Sequence, residues 1–282
     1  MKTAIVTDST AYIPQELREK LNIYMVPLSV IIGETSYREE VDITAEQFYE
    51  KVRSEEKLPT TTQPSIGAFV ELFEKLGEEY DSIISFHLSS GISGTYQGAI
   101  SAGKLVDGVQ VYPYDTEISC MAQGFYTITA AKMAAEGRKP EEILLYIDQL
   151  KATSRAYFMV DDLSHLQRGG RLNSAQAIIG SLLKVKPLLH FVDKVIVPFE
   201  KIRTRKKAMN RIEELLGEDA SKGKPLQASI IHANRAEEAK EWKLKLEKMY
   251  PNVTFTISYF GPVIGTHLGE GAMGLCWMKK SF

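Results

Sequence analysis

The chain has 282 residues, 44% of them hydrophobic and 25% charged, which is the composition of an ordinary globular protein. Its 34 basic and 36 acidic residues leave a net charge of −2, so nothing global argues for nucleic acid, and any electropositive role must come from a local cluster. No apolar run approaches the ~18 residues of a membrane span, and Met1-Lys2-Thr3 running straight into a predicted strand leads one to expect no signal peptide.

Ala4-Ile5-Val6 predicts a buried first strand, closed by the capping residues Thr7-Asp8-Ser9-Thr10. Pro14 suits the first turn of a helix reaching about Leu21. Residues 24–32 predict a single second strand, and the polar residues 33–42 a hairpin or lid. Thr44-Ala45-Glu46-Gln47 is a capping box that starts a helix to about Ser54. Pro59 and Pro64 bracket Thr60-Thr61-Thr62 in what reads as a loop. A helix then follows over 65–76, with Phe69, Leu72, Phe73 and Leu76 on one face. Residues 81–88 predict a buried strand and 94–106 a helix, joined by a Ser/Thr/Gly-rich corner at 89–97. Residues 109–114 form the next strand, ending in Asp115-Thr116-Glu117-Ile118-Ser119. A helix runs from there to about Glu136, Gly137 ends it, and Pro140 begins another to about Lys151.

Strands alternating with helices over 1–153 predict an N-terminal parallel α/β layer with right-handed crossovers. Residues 154–282 read differently. A strand at 156–160, a short helix at 162–167, a helix at 174–183 and a hairpin about Asp193-Lys194 come first. An amphipathic helix at 204–216, a strand at 228–232, a helix at 236–249, and strands at 253–260 and 275–278 complete a C-terminal α+β domain. The expected fold is thus α/β with two domains. Cys120 and Cys276 sit in apolar surroundings and read as buried free thiols in a reducing cytoplasm.

Three predicted strand ends, 7–10, 89–95 and 115–119, carry Ser, Thr and Asp. In a parallel sheet they share one edge, where open α/β proteins place ligands. Hydroxyl donors there, with the free N–H groups of a helix's first turn, make a place to hold an anion. Thr61, Thr62 and Ser93 are such donors, and each is otherwise a helix cap. His267 lies in Gly265-Thr266-His267-Leu268-Gly269, where glycines permit close backbone approach; its alternative is a satisfied core histidine.

Other chemistries fit less well. Gly269-Glu270-Gly271-Ala272-Met273-Gly274 spells a dinucleotide fingerprint, but only eight residues follow it, leaving no room for the helix and the acidic residue ~20 positions on. There is no Walker-type phosphate loop, and the five histidines show no metal-ligand spacing. Gly91-Ile92-Ser93-Gly94-Thr95 half-matches a nucleophile elbow, so a serine hydrolase using Ser93 and His267 stays open as an alternative, without a third group to orient the histidine. Lys201, Arg203, Arg205, Lys206, Lys207 and Arg211 cluster at a helix start. They form either a solvated face or a dock for an acidic partner, a phosphate or an anionic membrane surface.

Five stretches together resemble the DegV family of bacterial fatty-acid-binding proteins: Ala4 to Thr10, Thr60 to Ser65, Ser89 to Gln97, Leu166-Gln167-Arg168-Gly169-Gly170-Arg171, and Gly261 to Gly269. The resemblance spans the chain in order. It implies two α/β domains with a long-chain fatty acid in a tunnel between them, its carboxylate held by hydroxyls and a histidine. The positions it points to are Thr61, Thr62, Ser93 and His267, with Gly94 at the helix start. It implies no cofactor, no catalysis and a cytoplasmic carrier that presents the acid to a separate ATP-dependent fatty-acid kinase for acyl-phosphate formation, feeding phospholipid metabolism. Arg171, Arg203 and Arg205 are the expected docking residues for that kinase or for an anionic membrane surface. Thr62 stands where the family pattern leads one to expect Ser, which keeps the hydroxyl.

Overall fold

Buried apolar strands and one-faced helices alternate through the first half of the chain, and the architecture follows from how each finds cover. The computed structural model describes residues 2–55, 57–172 and 186–281. β1 (Thr3–Asp8) is buried at all six positions and leads through a 3-10 turn (Ser9–Ala11) to α1 (Gln15–Lys20) and β2 (Ile23–Val26). The strand expected over 24–32 is in fact two. Pro27 lacks the N–H that would continue the ladder, and Leu28 N–H donates to Ser9 Oγ at 3.0 Å. The chain therefore leaves the first sheet there, and β3 (Ser29–Ile32) forms a hairpin with β4 (Thr35–Arg38), as the polar 33–42 stretch suggested. α2 (Ala45–Arg53) carries the expected capping box. The threonines read as a loop form instead a short edge strand, β5 (Thr60–Thr62), antiparallel to β3 with Thr61 opposite Val30.

α3 (Ile66–Gly77), β6 (Ser82–His87), α4 (Thr95–Gly103), β7 (Gln110–Asp115), α5 (Cys120–Ala135) and α6 (Pro140–Lys151) complete the first half. Its main sheet has order β2-β1-β6-β7 and is parallel throughout. β6 is buried at every position, as a strand covered on both faces must be. The carboxyl ends of β1, β6 and β7 meet at one edge.

The second half contains β8 (Arg155–Met159), α7 (Ser164–Arg168), β9 (Leu188–Val192), β10 (Val195–Glu200), α8 (Arg205–Ala220), β11 (Leu226–His232), α9 (Ala236–Met249), β12 (Val253–Tyr259), α10 (Pro262–Leu268) and β13 (Met273–Lys279). These strands make one mixed sheet of order β10-β9-β8-β13-β11-β12, in which β11 and β12 are parallel and the other pairs antiparallel. Asp193 and Lys194 both have positive φ at the tip of the β9–β10 hairpin. The helix expected over 174–183 lies outside the described residues. α10 was not foreseen. Its seven residues carry little periodicity, although Pro262 in its first turn is a start signal.

One hydrophobic cluster runs through both halves, joining Phe86 and Phe125 to Phe158, Ile231, Val263 and Cys276. A second cluster, with Leu216, Trp242, Phe255 and Trp277, includes residues of α8, α9 and the six-stranded sheet. No helix among the described residues is long and apolar enough to cross a membrane.

Candidate functional site

Where the β6 and β7 ends of the parallel sheet face the six-stranded sheet, a cavity of about 360 Å³ remains unfilled. That is within the range of small-molecule sites. Its walls are mainly apolar: Leu88 and Ile92 after β6, Ile118 and Cys120 after β7, Phe158 and Leu275 from the second sheet, and Val263, Ile264 and Leu268 from α10. The same cavity is lined by Thr61, Thr62, Gln63, Ser93, Gly94, Arg171 and His267. All five positions expected to hold a carboxylate are therefore brought to one space, although they come from three separate parts of the chain.

Thr61 Oγ1 lies 2.9 Å from His267 Nε2. β5 delivers the threonine and α10 the histidine, so the unforeseen strand and the unforeseen helix together build this contact. His267 Nδ1 is buried and has no hydrogen-bond partner among the described residues. It faces Gly169 so closely that a Cβ there would sit 2.4 Å from it. Only glycine at 169 leaves the ring its place. Burial, then the cationic Arg171, then His165 push the His267 pKa down to about 4. The ring is neutral near pH 7 and can donate one hydrogen bond.

Ser93 Oγ pairs with Thr95 Oγ1 at 2.9 Å and accepts from Thr95 N–H at 3.3 Å. Gly94 precedes α4 and is covered by the Gln63 amide, which an added Cβ would meet at 2.2 Å. Ser93 and His267 thus line the same cavity, but each has a different hydroxyl partner. The nucleophile–base hydrogen bond a hydrolase would use is not made among the described residues.

Two of the three expected docking residues turn inward. Arg171 lines the cavity, donating from Nε to Ile92 O at 3.3 Å and from Nη1 to Gly169 O. Its path back to residue 92 is a tertiary contact that spacing does not reveal. Arg205 is held by Glu238 at 2.8 Å and Asp161 at 3.3 Å, and donates to Gly271 O at 2.7 Å. It ties α8 to α9 and to the turn before β13. Arg203 remains exposed, beside Lys201 and Lys207 on a groove of about 390 Å³. Arg211, on the same groove, is paired with Glu200 and Glu214.

Two buried networks brace the site. Asp8 accepts from Leu88 N–H at 2.8 Å, from Thr10 Oγ1 at 2.6 Å and from Gln123 Nε2 at 3.1 Å, with His87 Nδ1 at 3.2 Å. His87 Nε2 then meets Ser85 Oγ at 2.7 Å. The connectivity is that of a Ser-His-Asp triad, but all three residues are fully buried and none lines the cavity, so it fastens strand ends. Glu39 is likewise fully buried. It accepts from Ser9 Oγ at 2.5 Å, Tyr12 OH at 2.9 Å and Val263 N–H at 2.7 Å. Tyr12 OH accepts from Ile264 N–H at 3.2 Å. The first turn of α10, which carries His267, is thereby pinned to the N-terminal half.

Residues 2–280 match the model of the DegV family, a family described as uncharacterised proteins. Protein DegV of Bacillus subtilis is 61% identical over 281 residues, covering 99% of this chain and all of that protein. Its crystal structure, that of a fatty acid binding protein, superposes with a TM-score of 0.96 over 99% of this chain and 100% of its own. The structure of a fatty-acid-binding DegV family protein from Thermus thermophilus superposes with a TM-score of 0.92 at 30% identity, covering 99% of this chain and 100% of that one.

Proposed function

Because the chain belongs to the DegV family, we propose that it binds one long-chain fatty acid in the cavity between its two halves and acts as a non-catalytic carrier. The observation that carries this is the shape of the site: apolar walls with Thr61, Thr62, Ser93, Gly94 and a neutral His267 on the same cavity. Neutral donors suit a carboxylate. Charge-assisted hydrogen bonds are worth roughly 1.5–3 kcal/mol each. Each buried methylene adds ~0.8 kcal/mol, so the chain contributes most of the affinity and the polar groups fix its direction.

Equilibrium displacement of a fluorescent fatty acid from delipidated protein tests the reading. Thr61→Val and Ser93→Ala should each weaken binding about 10-fold. Failure of the unsubstituted protein to take up any long-chain acid would sink it.

The same reading extends to handing the acid to a separate ATP-dependent kinase in the cytoplasm. Its support is the family resemblance together with the exposed Arg203 groove. Arg203→Ala should leave fatty-acid affinity unchanged and slow acyl-phosphate formation; equal rates would return Arg203 to the solvated surface. A serine hydrolase is disfavoured by the separate partners of Ser93 and His267. Covalent labelling of Ser93 by a fluorophosphonate would reinstate it.

A further inference from the structure

In the six-stranded sheet the ladder between β8 and β9 is shorter than either strand. β8 pairs with β13 along its whole length, from Arg155 to Met159. With β9 it pairs only through Tyr157–His190, Phe158–Leu189 and Met159–Leu188. The next pair in that register would be Ala156 with Phe191, and it is not made. Past Tyr157 and His190, whose rings stack at 5.8 Å, the pairing stops and leaves a split in the ladder.

A second cavity of about 340 Å³ lies at this split. Its lining includes Glu117, Lys151, Ser154 and His190, and reaches the exposed Arg155. It shares Ile118, Ala156, Tyr157 and Phe191 with the apolar cavity. Those four residues are the partition between an apolar chamber and a polar one, and none of the carboxylate-binding candidates belongs to it. Phe191 is the large apolar side chain at the missing pair. It is only partly buried, packing toward Phe158 with ring centroids 6.3 Å apart.

We propose that this split is a port for the methyl end of the ligand, plugged by Phe191, and that Phe191 sets the chain length the apolar chamber accepts. Acyl chains longer than that chamber pass between Ala156 and Phe191 into the polar chamber. The proposal rests on the fatty-acid reading of the cavity. Methylenes inside the apolar chamber are fully removed from water, whereas those beyond the partition stay partly wet. Affinity therefore climbs about fourfold per methylene up to the partition and flattens beyond it. Phe191→Ala removes the plug and moves that break to longer acids. Phe191→Trp and Ala156→Val add bulk and move it to shorter ones.

The test is displacement binding of a homologous series of saturated fatty acids to the unsubstituted protein and the three variants. The expected result is a break that moves in opposite directions for the smaller and the bulkier side chains, by about fourfold in affinity for each methylene gained or lost. Should Phe191→Ala not fold, the two bulkier variants still give the sign. One common break in every folded protein would overturn the port while leaving fatty-acid binding intact. No uptake by the unsubstituted protein would overturn both.

Discussion

His267 carries the proton balance of the site. Its folded pKa of about 4 lies below its ordinary 6.5. Above pH 6.5 the ring is neutral folded and unfolded alike. As pH falls from 6.5 towards 4, the unfolded chain binds a proton that the folded chain does not, so stability is lost across that window and levels off below it. His267→Gln should remove that part of the pH dependence in denaturant melts. A bound carboxylate beside the ring supplies an opposite charge and raises its pKa. Titration of the ring by NMR should show the midpoint moving up from about 4 when fatty acid is added; an unmoved midpoint would place the carboxylate elsewhere. At this scale much was legible. Thr61, Ser93 and His267 stand in short polar motifs that resemble a known family, and residue type alone suggested neutral donors. The internal partners of Arg171 and Arg205 were not legible, because a cation's partner is a tertiary fact: Ile92, Glu238 and Asp161 are far from them in sequence.

At the scale of elements, α10 is placed by Glu39, a residue the sequence put in a polar turn. Burial pushes its carboxyl up to about 8, against the hydrogen bonds from Ser9, Val263 and Tyr12. The folded value exceeds the ordinary 4.5, so the contribution of the protonated group is full below pH 4.5 and is lost as pH rises through about 8. Glu39→Gln keeps the shape without the titration, and its stability should fall less than the parent's between those limits. Glu39→Ala takes the acceptor from Val263 N–H and from the O–H groups of Ser9 and Tyr12, and a buried donor left unpaired, as Val263 N–H is, costs about 1–3 kcal/mol. The substitution should weaken fatty-acid binding by loosening the helix under His267, and binding unchanged in a folded Glu39→Ala protein would remove Glu39 from the account. The long elements were legible from periodicity and capping, as α2 with its capping box illustrates. β5 and α10 were not. Three threonines between prolines carry no alternation, and a seven-residue helix makes barely two turns. Both elements exist because β3 and Glu39 offer their backbones partners. The split of residues 24–32 was signalled by Pro27, whose missing N–H outweighs the β-branched run around it.

For the whole molecule, the two halves share one hydrophobic cluster and enclose the cavity jointly. Between Lys151 and Arg155 the topology changes from a parallel sheet to a mixed one. Unfolding should therefore proceed in a single transition for both halves, and fatty acid should raise its midpoint without splitting it, by about 2.7 kcal/mol of added stability at a free concentration of 100 Kd. Two separate calorimetric transitions would contradict a shared core. The alternation of strands and helices made the first sheet legible, but the cavity was not: apolar residues lining a space and filling one read alike, and only the approach of two sheets tells them apart. Everything proposed for the molecule turns on fatty-acid binding in this space. Native mass spectrometry of delipidated protein mixed with one equivalent of a long-chain fatty acid tests it most directly. A one-to-one complex heavier than the bare chain by the mass of a single acid is expected, with its population reduced in Ser93→Ala. A spectrum showing only the bare chain would contradict it.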